Sequence, residues 1–269
     1  MSRSTRAVTG PTPQLSDRMP RWAWAVVLVG GVVAYNAVWR VMVGTQNATY
    51  FPTLLLIGAV TVPFAVLTYA AGALRGLRLD PWLVILTVVV GGLIGTLAAG
   101  ILEYDTMRRL GTIPMLSVGL IEESAKLIVP LAIFLTMRPH DPRGGIVLGI
   151  ASGMGFATLE TMGYGFQALL ATGNLGAVDL TLQLRALLSP ACHIAWTGMA
   201  TAALWRTSSA PERRRAVGEF VLAFLLAVLL HALWDGSTSL PVHVGITLFG
   251  FAILLWLIHR ARREQVTLA

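Results

Sequence analysis

Long apolar runs alternate with short polar gaps along most of this chain. Eight runs approach or exceed the roughly 20 residues that a helix needs to cross the hydrocarbon of a bilayer. They cover residues 22–43, 51–74, 82–102, 113–137, 145–170, 183–205, 216–237 and 241–259. The pattern predicts an all-α, polytopic transmembrane helix bundle of about eight spans. Residues 1–21, with Pro11, Pro13, Pro20 and four arginines, read as a polar cytoplasmic tail. Residues 22–259 form one transmembrane domain, with a motif-bearing core at 113–237, and 260–269 a second short tail. The first run is too long for a signal-peptide core and lacks a cleavage site, so it reads as a retained anchor. Gly91 and Gly95, then Gly145, Gly149 and Gly153, are spaced for close helix packing in lipid.

Charge fixes the orientation. Arginines fill alternate gaps: Arg75 and Arg78, Arg138 and Arg143, Arg206 with Arg213, Arg214 and Arg215, then Arg260, Arg262 and Arg263. The other gaps hold only Arg108 and Arg109, with Arg40 and Arg185 near the outer helix ends, where long side chains can snorkel. By the positive-inside rule both termini are cytoplasmic. Over 269 residues, 55% are hydrophobic and only 12% charged, with a mean hydropathy of +0.72. A soluble chain carries about 25% charged residues, so the expected setting is the cell membrane. The net charge of +7 follows from topology. No basic stripe on a soluble domain suggests a nucleic-acid partner. Cys192 is the single cysteine, which excludes a disulfide framework and a CxxC metal knuckle.

Against this background a few ionisable residues stand inside the runs. Glu122, Glu123 and Lys126 interrupt the fourth, Glu160 the fifth, His193 the sixth, and His231 with Asp235 the seventh. A charge at the bilayer centre costs roughly 2.5–3.5 kcal/mol on insertion scales, so each needs a reason. At 1.5 Å per residue, Glu122, Glu160 and His193 lie about 14–15 Å from the outer face and His231 about 9 Å. That shared depth predicts one site built from four helices. Lys126 is four residues beyond Glu122 and three beyond Glu123 and can hold either carboxylate. Asp235, four residues beyond His231, can fix its tautomer. Pro190, three residues before His193, predicts a kink. Taken singly, a Glu–Lys pair or a buried His is as well explained by packing, and His140, His243 and His259 sit in gaps or at a helix end as solvated groups. Cys192 reads as filler, and Trp234 as packing or an interface anchor.

Two carboxylates, an ammonium and two imidazoles suit amide hydrolysis: a Glu takes a proton from water and a His stabilises the oxyanion. Glu160, His193 and His231 could instead form a His₂Glu set for a divalent metal such as zinc. No HExxH helix is present. The motifs are EExxK at Glu122 to Lys126, Gly-x-Gly-Phe-Ala-x-x-Glu at Gly153 to Glu160, the isolated His193, and HxxxD at His231 to Asp235. Together they resemble the PrsW family, which belongs with CAAX prenyl endopeptidases and Abi proteins to a wider group of intramembrane proteases. The resemblance spans residues 116–235. It implies an intramembrane endopeptidase, glutamate-type or metal-dependent, that cuts a membrane-anchored protein substrate. In that reading Glu122 activates water with Glu123 in support. His193 and His231 bind oxyanion, water or metal, and Glu160 completes the site. Thr161 stands where the family often has Asn after the second-motif Glu; its hydroxyl can still hydrogen-bond.

The outer-half depth points to cleavage near the extracytoplasmic face, as in regulatory proteolysis of an anti-sigma factor. A proton-coupled transporter also uses buried Glu, Lys and His, but it would show related halves, and none is visible. A catalytically silent binding protein is the remaining alternative class.

Overall fold

The computed structural model describes residues 20–74, 76–77, 79–137 and 141–267. Nearly all of the N-terminal tail lies outside them, as do Arg75, Arg78, Arg138 and His140. The described residues form α-helices joined by short turns, with no strand among them: α1 (Ala23–Thr45), α2 (Phe51–Ala73), α3 (Pro81–Leu110), α4 (Met115–Thr136), α5 (Pro142–Thr172), α6 (Leu175–Leu188), α7 (His193–Arg206), α8 (Arg213–Gly236) and α9 (Leu240–Thr267). Local sequence sets several ends. Asp80 and Asp141 cap α3 and α5 by accepting from Trp82 N and Arg143 N, each with proline at the first helical position. Gly111 and Gly173 end the same two helices in the left-handed conformation, at φ +69° and +63°.

Six helices among the described residues are long and apolar enough to cross a membrane: α1, α2, α3, α5, α8 and α9. Large apolar side chains such as Val29, Leu97, Leu222 and Leu229 point outward, as they should where the solvent is lipid. The protein is a multi-pass membrane protein. α4 has the length, but it contains Glu122, Glu123 and Lys126.

The sixth apolar run differs from expectation. It is two helices, α6 and α7, separated by a 3₁₀ turn at Ser189–Ala191. Proline cannot donate its helical hydrogen bond, and Pro190 produces a full break here rather than a kink. The two halves still retrace α5 in antiparallel fashion. Arg185 meets Glu160 and Thr161, while Gly153, Gly149 and Gly145 face His193, Thr197 and Trp205 in turn. Two ends also run beyond the apolar pattern. α3 continues to Leu110 and carries Glu103 with it, and α9 continues through most of the expected C-terminal tail.

α5 is the buried axis, packed by α7, α3, α2 and α6. α1 stands at the edge on α2, with Tyr35 donating to Asp179 of α6 at 2.7 Å. Absent side chains let the central helices touch. A Cβ on Gly92 would lie 2.6 Å from the Gly155 carbonyl carbon, so α3 and α5 meet backbone to backbone. Gly153 does the same for α7: its Cβ would fall 2.6 Å from the carbonyl oxygen of His193. On the other side of the site, a Cβ on Gly119 would meet the Val228 carbonyl oxygen of α8 at 2.6 Å. Small-residue packing thus sets the positions of both histidine-bearing helices. Gly155→Ala should lower thermal stability by at least the 1–3 kcal/mol typical of overpacking, roughly. Gly163→Ala, with nothing within 4 Å of the new methyl, should not. Unfolding of the two variants in detergent checks this.

Candidate active site

The i, i+3, i+4 spacing on α4 turns Glu122, Glu123 and Lys126 to one face, and all three are buried. Lys126, the only lysine in the chain, is 0% exposed. Its Nζ lies 2.7 Å from Glu123 Oε1, 3.2 Å from Glu122 Oε2 and 2.8 Å from His193 Nδ1. His231 Nδ1 is further off, at 3.5 Å, and the Phe156 ring lies beneath the ammonium at 4.3 Å. Lys126 therefore holds both carboxylates rather than selecting one. Ser152 Oγ donates to the Lys126 carbonyl at 2.6 Å, tying α5 to α4 at this level.

An ammonium only donates, so His193 Nδ1 must accept. Its proton is then on Nε2, which faces Glu160 Oε2 at 3.0 Å. Each ring nitrogen of His231 meets carboxylate oxygens: Nδ1 is 2.8 Å from Glu123 Oε1, and Nε2 is 3.1 Å from Asp235 Oδ2 and 3.3 Å from Glu122 Oε2. The expected His231–Asp235 pair thus forms. Trp196 packs against both imidazoles, which lie 5.3 Å apart between ring centroids. Glu122, Glu123, Lys126, Glu160, His193, His231 and Asp235 all belong to one connected cluster. Lys126, Glu123, His193 and His231 form its closed floor, and Glu160 and Asp235 its more open side.

Two members were not foreseen. Arg185, expected to snorkel outward, turns inward and pairs with Glu160. It also donates from Nε to Thr161 Oγ1 at 3.0 Å and rests over the Tyr164 ring at 4.2 Å. Thr161 thus makes its hydrogen bond with the residue that anchors Glu160. Glu103, read as part of a polar gap, lies on α3 close enough to Glu122 to feel its charge; one of its oxygens, Oε1, is buried without a partner among the described residues. The charged run from Glu103 to Arg109 gave no sign that its first member faces inward. His243 is also not simply solvated: its ring nitrogens lie 3.0 Å from the Ser239 carbonyl and from the Trp234 carbonyl in the last turn of α8. Cys192 is fully buried, with Sγ on the Leu188 carbonyl.

Ligand atoms of Glu122, His193 and His231 all lie within 4.8 Å of one another. Glu122 stands there in the place expected for Glu160, which instead holds the far nitrogen of His193. Two imidazoles and a carboxylate fit a divalent metal of the zinc type. The ammonium of Lys126 now shares that space, and His193 Nδ1 cannot serve both cations at once.

A variant isolates the role of the ammonium. Removing one partner of a buried ion pair costs roughly 3–5 kcal/mol. Lys126→Met should therefore destabilise strongly, and adding Glu123→Gln should recover part of the loss. Thermal unfolding of the single and double variants gives both numbers.

No curated protein and no solved structure gives a match to the chain. The family model for PrsW family intramembrane metalloproteases matches residues 80–259, well over half of the chain and every element that contributes to the cluster. The chain belongs to the PrsW family of intramembrane metalloproteases.

Proposed function

We propose that this protein hydrolyses a peptide bond of a membrane-anchored protein near the outer half of the bilayer, with Glu122 activating the water. The supporting observation is the difference between the two adjacent glutamates. Glu123 is clasped at 2.7 and 2.8 Å by Lys126 and His231 and is 1% exposed. Glu122 has only longer contacts, 3.2 and 3.3 Å, and retains 7% exposure. A group that must take up and release a proton needs that looser hold and access to water; a tightly paired one positions its neighbours.

His193 and His231 flank Glu122 and are oriented from behind, by Glu160 and Asp235 respectively. With Nδ1 of His193 on Lys126 and its Nε2–H on Glu160, the oxyanion falls to His231, whose Nε2, 3.3 Å from Glu122, can donate as the charge forms. Glu122, His193 and His231 are also the residues that would hold a divalent metal. Such an ion would lower the pKa of its water and polarise the scissile carbonyl. Glu160, paired with Arg185, keeps the His193 ring from turning.

Glu122 sits about 10 Å along α4 from its Met115 end, the end away from the arginine-rich termini of α5, α7, α8 and α9. By the positive-inside rule this supports a cluster in the outer half of the plasma membrane, with both termini in the cytoplasm. A single-pass regulatory protein such as an anti-sigma factor is a substrate of suitable form.

Purified protein in liposomes should cleave a member of a panel of single-pass reporters. Glu122→Gln should lower the rate by about 10²–10⁴-fold, the range for general-base catalysis, and His231→Ala should lower it as well. Cleavage lost on chelation and restored by zinc would assign the water to a metal held by Glu122, His193 and His231, and cleavage that persists in chelator would assign it to Glu122 alone. No cleavage by any form, with Glu122→Gln altering proton flux instead, would establish the transporter reading.

A further inference from the structure

At the opposite end of the bundle from the glutamates, α5 and α8 begin and α7 nears its end around a cavity of about 390 Å³ that α9 also lines. Its rim is basic: Arg143, Arg206, Arg215 and Arg260 line it, with Glu219 the one carboxylate among the lining residues. Arg206 and Arg215 both reach Glu219, each at 3.3 Å, so two guanidiniums share one carboxylate. Arg260 lies over the Trp256 ring at 5.4 Å. The floor is apolar, formed by Met199, Ala223 and Leu257 among others. α9 packs chiefly on α7 and the turn at Ser189–Ala191, and touches α8 little, which leaves a loosely packed seam between α8 and α9 beside the cavity.

We propose that this cavity binds the phosphate of an anionic phospholipid from the cytoplasmic leaflet, with an acyl chain laid along the α8–α9 seam. Each feature meets a requirement of that ligand. Arg143 is already held by Asp141 at 2.6 Å; Arg206 and Arg215, which share the one carboxylate of Glu219, supply the excess of guanidinium that matches a phosphate in charge and in forked geometry. The rim lies at the ends of the spanning helices α5, α8 and α9, and basic pockets between helices at such ends suit acidic lipids. The apolar floor and seam suit an acyl chain, which a soluble phosphate lacks. Arg206 and Arg215 remain 43% and 76% exposed at their side chains, so a headgroup can reach them without the helices moving apart. The inference is independent of the hydrolytic reading.

The test uses the purified full-length protein in detergent, titrated with phosphatidylglycerol or phosphatidylcholine in mixed micelles. Bound lipid is read by native mass spectrometry and stability by thermal unfolding. Phosphatidylglycerol should bind and raise the melting temperature, and phosphatidylcholine should not. Arg206→Gln and Arg215→Gln should each weaken binding about fivefold, the worth of one basic residue at an anionic surface. Glu219→Gln, which removes the competing carboxylate, should tighten it. Arg262→Gln, an arginine at the same end outside the cavity, should change nothing. Equal binding of the two lipids, or full binding by both arginine variants, overturns the proposal. An equal thermal shift from glycerol phosphate also overturns it, in favour of a water-soluble phosphate ligand.

Discussion

Lys126 carries an ammonium to a fully buried point, and the arrangement around it follows from what that demands. The charge must be met by acceptors, and two helices supply them: Glu122 and Glu123 from α4 and His193 from α7. Those acceptors then impose requirements of their own. With Nδ1 of His193 committed to the ammonium, its other nitrogen needs Glu160, and Glu160 needs Arg185. One desolvated charge thus recruits a network that runs outward until it reaches groups near water. Ion pairs of this kind seldom stabilise relative to an apolar core. Their presence here is better explained by chemistry than by folding.

The backbone meets these distances by removing side chains. Gly119 brings α8 against α4, Gly153 brings the start of α7 against α5, and the Gly92–Gly155 contact brings α3 against α5. The break at Ser189–Ala191 completes the arrangement, because it starts a new helix at His193 at the depth of the cluster. Broken helices at membrane depth are tolerated where they are buried in protein, and Ser189, Pro190, Ala191 and Cys192 are all buried.

Much of this was legible in the sequence, for a physical reason. Charges are so costly in lipid that Glu122, Glu123, Lys126, Glu160, His193, His231 and Asp235 stand out against an apolar background, and their shared depth is simple arithmetic on helical rise. What stayed hidden were charges near helix ends, where the background is polar already. Arg185 and Glu103 could as well face water as the cluster, and only the packing of α6 and α3 decides it. The split of α6 from α7 was foreshadowed by Pro190, but whether a proline kinks or ends a helix depends on what can satisfy the freed backbone. The exchange of Glu122 for Glu160 in the trio nearest a metal-binding geometry turned on Arg185, whose claim on Glu160 no motif records.

The central claim is that this cluster cuts peptide bonds at its own depth in the membrane. It is tested most directly by mass-spectrometric mapping of the cut in a helical single-pass reporter reconstituted with the protein in known orientation. The account requires the new termini to fall in the outer half of the reporter's span, and to stay there when the reporter is lengthened at its cytoplasmic side. A cut in the cytoplasmic half, or one that moves with that lengthening, would contradict it.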